Sequence, residues 1–582
     1  MRFKFSDLFA ADNKIITTLL ILLPLLIYAQ VWGFSFVWDD GDGGRTVGGH
    51  LQNTFVLDAS WQSFWQLFTQ PYFGMYIPIG YLFLGLLKSL VQLFSLPVYG
   101  ILHLGNVAVH IVNGLLVFTI LRQFIDNKWA VALGAGFFLL HPVQVEAVAW
   151  ISGFRDLLAT LFTLLSLYHY FKKPNDMSYL SLIFFILAVL SKPSAVVLVP
   201  ILFLSNHFHF GLKFVENFIK TLPYIFIALL TAAVAYSVQS NYADFSPYTI
   251  AVWQRPFAWL DSIVFYVFKI IYPYHLSASY TLSPKFISAA WWFYPLAILP
   301  LFLGYWLWLK RKTERLVVFA VALFIAGFFT TSGFVSFSFQ KYSLVADRYL
   351  YFAMLGVALF VAAIISKADK KQFGIWAAAI ILLIFATLSA FRQIPIWKNS
   401  LILWSHSVNY EVNPAYSHIN LGTYFNNTGL RITDTKDAIK HFDKAIVYYS
   451  KEPTNKSLGN SFYNKGNVLV KQKKYQQAED YFDKSIKFFA QRRAKMPSYN
   501  KSFYNRGVVR FKQDKLALAY QDFERTIKTE PKNQQAQHNM IFINIKLKQC
   551  KKAHQVKKFA DKNNIKIPQS LSQELKSKCP SK

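Results

Sequence analysis

Residues 15–34, IITTLLILLPLLIYAQVWGF, carry no charge. A helix needs about 20 apolar residues to cross about 30 Å of hydrocarbon, and this run meets that length. Lys4 and Lys14 precede it, as in a secretory leader, but no small-x-small cleavage site follows, so the run is read as a retained first span. Further apolar runs lie at 99–121, 129–141, 156–171, 178–190, 193–207, 218–238, 291–309, 315–333, 343–365 and 373–392, giving eleven in all. Composition agrees: 54% of residues are hydrophobic and 16% charged, where soluble domains are about 25% charged.

Basic residues cluster between spans at Arg2 to Lys14, Arg122 to Lys128, Lys172 and Lys173, Lys310 to Arg315, and Lys367 to Lys371. Placing them in the cytoplasm leaves the C-terminal portion on the other side of the membrane. Two apolar stretches, 76–96 and 256–273, remain unused. The first follows the Trp-rich WQSFWQLF and carries Lys88, so it is read as a helix in or near the interface. Were both to span, the count would be thirteen and the C-terminal side unchanged.

Charge divides the chain: residues 1–410 hold 27 Lys+Arg against 16 Asp+Glu, and 411–582 hold 34 against 14. The expected organisation is all-α, with a polytopic membrane domain over 1–392, a linker over 393–413 and a soluble α-solenoid over 414–582. The last portion contains three related segments: NLGTYFNNTG with DAIKHFDKAI, FYNKGNVLVKQKKYQQAEDYFDKSI, and FYNRGVVRFKQDKLALAYQDFERTI. Gly466 precedes Ala478, and Gly507 precedes Ala519, by twelve residues; Phe482 and Phe523 follow four residues later. These positions fit tetratricopeptide helix pairs, in which a small residue permits close crossing and an aromatic fills the gap. Gly422, Ala438 and Phe442 keep the pattern with four extra residues, longer loops near 450–459 and 490–500 join the units, and a degenerate pair over 535–562 caps them. The scattered lysines of these helices argue against nucleic acid as a partner. Cys550 and Cys579, the two cysteines of the chain, can pair across the last repeats in an oxidising compartment. HFHF (207–210) has metal-like spacing but no third ligand, and is read as an interfacial anchor.

In so apolar a membrane portion, ionisable residues outside the basic loops are costly and therefore informative. FVWDDGDGG places Asp39 and Asp40 after the first span, ahead of flexible glycines. HPVQVEAVAWISGFRD supplies His141, Glu146, Arg155 and Asp156; LSKPS supplies Lys192; KYSLVADRYLYFAMLG supplies Asp347 and Arg348. The inferred topology puts all four clusters at the outer face. Lys and Arg can neutralise a lipid-linked phosphate there, and a carboxylate can accept the proton of an attacking hydroxyl. Structural readings stand beside this: a turn cap for the aspartates, ion pairs for Glu146 with Arg155 and Asp347 with Arg348, snorkelling for Lys192.

WDD, HPVQVEAVAWISGFRDLLATLF, LSKP and ADRYLYFAMLG, followed by tetratricopeptide repeats, resemble the transmembrane-and-tetratricopeptide-repeat O-mannosyltransferase-like proteins of the glycosyltransferase C superfamily. The resemblance spans nearly the whole chain and is most specific over 141–161. It implies an inverting enzyme that takes a sugar from a polyprenyl-phosphate donor, with an acidic residue of the first outer loop, here Asp40 or its neighbour Asp39, as base. No cofactor is required by it, although it admits a divalent cation at Asp39 or Asp40. The GDGG stretch and Ile77-Pro78, where the family often has a basic residue, depart from its pattern.

The resulting expectation is a membrane glycosyltransferase. Arg348, Lys192 and Arg155 hold the donor phosphate, Asp40 activates the acceptor hydroxyl, and His141, Glu146, Asp156 and Asp347 position those groups. Asn420, Asn464 and Asn505 recur at one position of the repeats and are candidates for binding a protein or peptide acceptor. Membrane lipid is the other partner, and the setting is a bacterial inner membrane with periplasmic repeats, or the endoplasmic reticulum with luminal ones. The rival readings are a lipid or polysaccharide flippase, which would show inverted repeats, and a non-catalytic scaffold, which has no use for four charged clusters.

Overall fold

Breaks in the apolar runs decide the architecture of the membrane portion. The computed structural model describes residues 3–41, 49–173, 176–240, 250–331, 333–334, 337–368, 373–428, 432–451, 455–491 and 497–580. The glycines expected at 43–44 and parts of the loops expected near 450–459 and 490–500 lie outside this set. Every regular element among the described residues is a helix, so the chain is all-α. It forms two compact units, Met1–Asn413 and Pro414–Lys582.

Each of the eleven expected apolar runs contains helix in the first unit. Among the described residues seven helices are long and apolar enough to cross a membrane: Ala11–Gly33, Val98–Leu121, Ile151–Lys172, Pro193–Phe210, Phe214–Ser240, Phe293–Lys310 and Phe373–Trp397. Lys128–Leu140 with Pro142–Ala149, bent by 45°, makes an eighth if taken as one span. Seven or eight thus meet that length where eleven or thirteen spans are expected, and the reason is local. Tyr179–Ser191, Arg315–Thr331 and Met354–Lys367 are shorter apolar helices. At 1.5 Å per residue, the first is about 20 Å long, well under the hydrocarbon thickness. The interruptions fall at His141-Pro142, Lys192-Pro193 and residues 342–353, where charged clusters lie. Pro78–Leu93, within the expected interfacial segment, is likewise a shorter apolar helix.

A broken helix frees carbonyls that hydrocarbon cannot satisfy. Four polar residues on Val98–Leu121, at spacings of three, four and three, lie along one face: His103, Asn106, His110 and Asn113, all buried. Asn106 Nδ2 donates to the carbonyls of Val148 at 3.2 Å and Trp150 at 2.7 Å. The His110 ring meets the Leu139 carbonyl at 2.9 Å and the Tyr351 hydroxyl at 2.7 Å, and Asn113 Nδ2 donates to the Leu157 carbonyl at 3.0 Å. The stripe thereby fixes the irregular 140–153 stretch from behind.

Residues 393–413, expected as a linker, belong to the first unit. They contain the turn Ile394–Trp397 and the helix Ser400–Asn409, with Ile394, Trp397, Leu403 and Trp404 buried.

The second unit is a succession of helices: Pro414–Thr428 with Ile432–Ser450, Lys456–Lys471 with Tyr475–Gln491, Pro497–Lys512 with Leu516–Thr529, Gln534–Lys546 with Cys550–Lys562, and Gln569–Lys578. One packing recurs in the first three pairs. A Cβ added to Gly422, Gly466 or Gly507 would meet the ring of Phe442, Phe482 or Phe523 at 2.8, 2.7 and 2.9 Å. Glycine is needed there because the ring lies against the helix backbone. The last helix is tied back by a disulfide between Cys550 and Cys579, whose Cα atoms are 5.1 Å apart.

Candidate active site

The turn Trp38–Asp40 follows the first span and is one residue from a left-handed glycine, Gly41, while Trp38 itself has φ +54°. A non-glycine residue in that region is strained unless its surroundings hold it there. Trp38 is held by aromatic rings: Trp150 stacks on it at 5.0 Å, and Phe339 and Trp404 each approach at 5.7 Å.

This turn aims its two carboxylates differently. Asp40 is fully buried. Its Oδ2 accepts from the Val37 amide at 3.0 Å, and its Oδ1 accepts from the Ser152 amide at 2.8 Å and from the Ser152 hydroxyl. Burial pushes the carboxyl up to about 7, against the opposing effect of those hydrogen bonds. A pKa near neutrality suits a base, but geometry comes first: both oxygens are occupied by fixed donors and no surface is open to an acceptor. Of the two expected carboxylates, Asp40 is thus the enclosed one and Asp39 the more open.

Asp39 keeps 22% of its side chain exposed; its Oδ1 is itself shielded from solvent and has no hydrogen-bond partner among the described residues. Oδ2 lies 3.5 Å from His50 Nε2. Burial raises its pKa, but His50, Arg155 and Arg348 outweigh that, so the carboxyl sits below its ordinary value. His50 is buried, with Nδ1 2.7 Å from the Tyr81 hydroxyl and Nε2 against Arg155 Nη1. A guanidinium has only donors, so Nε2 accepts and the ring proton sits on Nδ1, toward Tyr81. Burial first, then the Arg155 charge, lowers the His50 pKa, against the opposing effect of Asp39. No sequence motif marks His50, and its place in the loop after the first span is the one signal that could have found it.

Of the three expected phosphate ligands, Arg155 is the one without a carboxylate partner among the described residues. It stands in the first turn of Phe154–Lys172, packs over Trp150 at 5.2 Å and reaches His50 and the Met75 sulfur. Arg348 is differently placed: its Nη1 is ion-paired with Glu146, and its amide donates to the other Glu146 oxygen at 2.9 Å. Phe339, Tyr349, Trp38 and Trp150 surround its guanidinium at 4.4, 4.9, 5.2 and 5.7 Å. Lys192 is ion-paired with Asp156 and keeps 17% of its side chain exposed. Asp156, Lys192, Arg348 and Tyr349 line one cavity. Lys192 can still donate into it, because an ammonium has three donors.

Asp347 does not pair with Arg348. Its oxygens accept from the Tyr280 hydroxyl at 2.7 and 2.8 Å, and burial followed by the Glu146 charge pushes it up to about 7. Glu146 and Asp156 hold the two cations. His141 is apart from them: Nε2 donates to the Ile270 carbonyl at 3.0 Å and Nδ1 accepts from the Val143 amide, capping the turn at the helix break. Nothing in the sequence marks Ser152 or Tyr280, because hydroxyls in an apolar sequence carry no pattern of their own.

A divalent cation does not fit the donor set. Among the described residues no three His, Cys, Asp or Glu side chains converge; Asp39 faces His50 and Arg155, and Asp40 is directed to Ser152. HFHF forms a π-helical turn, Asn206–Phe210, with His209 packed against Phe124 at 4.6 Å.

In the second unit, Asn420 Nδ2 donates to the Tyr416 carbonyl of its own helix at 2.9 Å, and Asn505 Nδ2 donates to Asn467 Oδ1 at 2.7 Å. Asn464 is half-buried. Lys465 is ion-paired with Asp443, and Arg506 with Asp483 and Asp522. Asn420 and Asn505, with both cations, thus bond within the helix array.

No family model matches the chain. It is similar to a protein O-mannosyl-transferase of Caenorhabditis elegans, 25% identical over 461 residues that make up 74% of this chain and 62% of the relative. The chain thus spans a little under two thirds of the relative it matches.

Proposed function

We propose that the protein is a membrane glycosyltransferase that moves a sugar from a polyprenyl-phosphate donor to a protein hydroxyl on the non-cytoplasmic side. One observation carries this reading: the partly exposed carboxylate of Asp39 and the guanidinium of Arg155, which has no carboxylate partner among the described residues, meet on the same nitrogen of His50. A carboxylate and an uncommitted guanidinium side by side are what an acceptor hydroxyl and an anionic leaving group require. The name of the worm relative supports mannose as the sugar and protein as the acceptor.

Asp39 takes the proton of a Ser or Thr hydroxyl as its oxygen attacks the anomeric carbon, and the bond from that carbon to the lipid phosphate breaks with inversion. Arg155 stabilises the charge left on the phosphate, and Lys192 and Arg348 supply positive potential from the adjoining cavity. The His50 ring, touching both, keeps Arg155 and Asp39 from closing into an ion pair, which would disable both. The repeats present the acceptor polypeptide.

The test is transfer of labelled mannose from a polyprenyl-phosphate donor to Ser/Thr peptides by protein reconstituted in liposomes. Transfer by wild type and its loss in Asp39→Asn is the expected result; no transfer from any polyprenyl-phosphate sugar would overturn the reading. Removing 414–582 should abolish transfer to protein while sparing slow hydrolysis of the donor.

A further inference from the structure

The stretch 393–413 touches the site at both ends. At one end, the Trp38 amide donates to Ser400 Oγ at 3.2 Å, and the Ser35 amide donates to the Lys398 carbonyl at 3.0 Å. Trp404, buried at the middle of Ser400–Asn409, sets its ring edge-on to Trp38. These contacts come from more than 360 residues away and fall on the residue before Asp39, whose left-handed backbone determines where that carboxylate points. At the other end, Asn413 Nδ2 donates to the Tyr280 carbonyl at 3.1 Å, and the Thr281 amide donates to the Val412 carbonyl at 2.8 Å. Tyr280 in turn donates its hydroxyl to Asp347, next to Arg348 in the chain.

We infer that this strap is part of the transfer site, with Ser400 a positioning residue for Asp39 and Asn413 a positioning residue for the Tyr280–Asp347–Arg348 edge. The inference rests on the glycosyltransferase reading above. Its physical basis is that a strained turn is held only by its surroundings. The Trp38 amide donates to Ser400, so Ser400 adds a directional bond to the aromatic contacts that hold the turn. Residue 413 is also the last of the first unit, so the same strap carries the chain to the repeats.

The experiment compares Ser400→Ala, Ser400→Thr, Asn413→Ala and Asp39→Asn in the full-length protein in liposomes, measuring kcat, donor KM and binding of a non-hydrolysable polyprenyl-phosphate analogue. A displacement of about 1 Å at a reacting group can cost about 10²-fold. Ser400→Ala should therefore lower kcat by roughly 10- to 10²-fold with donor KM and analogue binding unchanged, and Ser400→Thr, which keeps the hydroxyl, should restore it. Asn413→Ala should raise donor KM and weaken the analogue with a smaller change in kcat. Analogue binding by Ser400→Ala establishes that the variant is folded. Wild-type kcat in Ser400→Ala, together with an inactive Asp39→Asn, would overturn this inference alone. An active Asp39→Asn would overturn the role given to Ser400, since Asp39 would not be the group to position, whereas absence of transfer by wild type would overturn the underlying reading. Equal loss of kcat and binding in both strap variants, unrescued by threonine, would make the strap merely structural.

Discussion

Asp40 accepts the backbone amide of Ser152 at 2.8 Å across 112 residues of sequence. The bond locks the turn after the first span onto the broken helix at 141–153, and it turns Asp40 inward while its neighbour Asp39 stays partly exposed.

Substitution at the two aspartates should therefore separate. Asp39→Asn should cut transfer roughly 10²- to 10⁴-fold, the usual loss for a general base, with thermal stability in detergent near wild type. Asp40→Asn puts an amide where three donors converge and should lower stability first, with activity per folded molecule surviving in part. A stable, inactive Asp40→Asn beside an active Asp39→Asn would reverse the assignment.

The pH profile discriminates the same pair independently. A base must be ionised, so kcat/KM falls as pH drops through its pKa in the free enzyme. With Asp39, held below its ordinary value by His50, Arg155 and Arg348 against burial, the acid limb should lie in or below the ordinary carboxylate range, about 4. A limb centred near 7 would point to Asp40, which burial pushes up to about 7.

Arg155 and Arg348 should fail in different ways. Arg155→Lys keeps the charge and loses the planar fork, so donor binding should weaken by about 10-fold without loss of fold. Arg348→Ala strands Glu146 as a buried, uncompensated charge, at a cost of about 3–5 kcal/mol. The expected outcome is a lowered melting temperature or loss of folded protein. A fully stable Arg348→Ala with specific loss of donor affinity would return the phosphate to Arg348.

In the repeats, Glu479 accepts from Arg510 Nε at 2.8 Å, Lys515 Nζ at 2.8 Å and Gln513 Nε2 at 3.0 Å. Burial opposes ionisation, but these donors outweigh it and lower the carboxyl to about 2. A depressed carboxylate contributes stability that is complete above its unfolded value, about 4.3, and lost as pH falls toward 2. Glu479→Gln should make residues 456–529 more susceptible to limited proteolysis at neutral pH, and the difference from wild type should shrink as the medium is acidified. A constant difference down to pH 2 would show that the carboxylate charge is not the cause.

Local chemistry was enough for much of this protein. Apolar runs specify helices, Gly466 and Ala478 with Phe482 specify a close helix pair, and charges in an apolar chain mark the site, because each depends on neighbours within about one helical turn or one hairpin. Span number was not settled locally: a run such as 178–190 reads as a span until the polar break at Lys192 is seen to end its helix. Nor could sequence choose between Asp39 and Asp40, adjacent residues of one type. Ser152, 112 residues away, made that choice by occupying one of them, and Ser400, more than 360 residues from Trp38, fixes the turn that presents the other. Hydrogen bonding between distant segments has no period and no spacing, so only the tertiary structure decided which carboxylate was enclosed, that Glu146 pairs with Arg348, and that residues 393–413 belong to the first compact unit rather than to a linker.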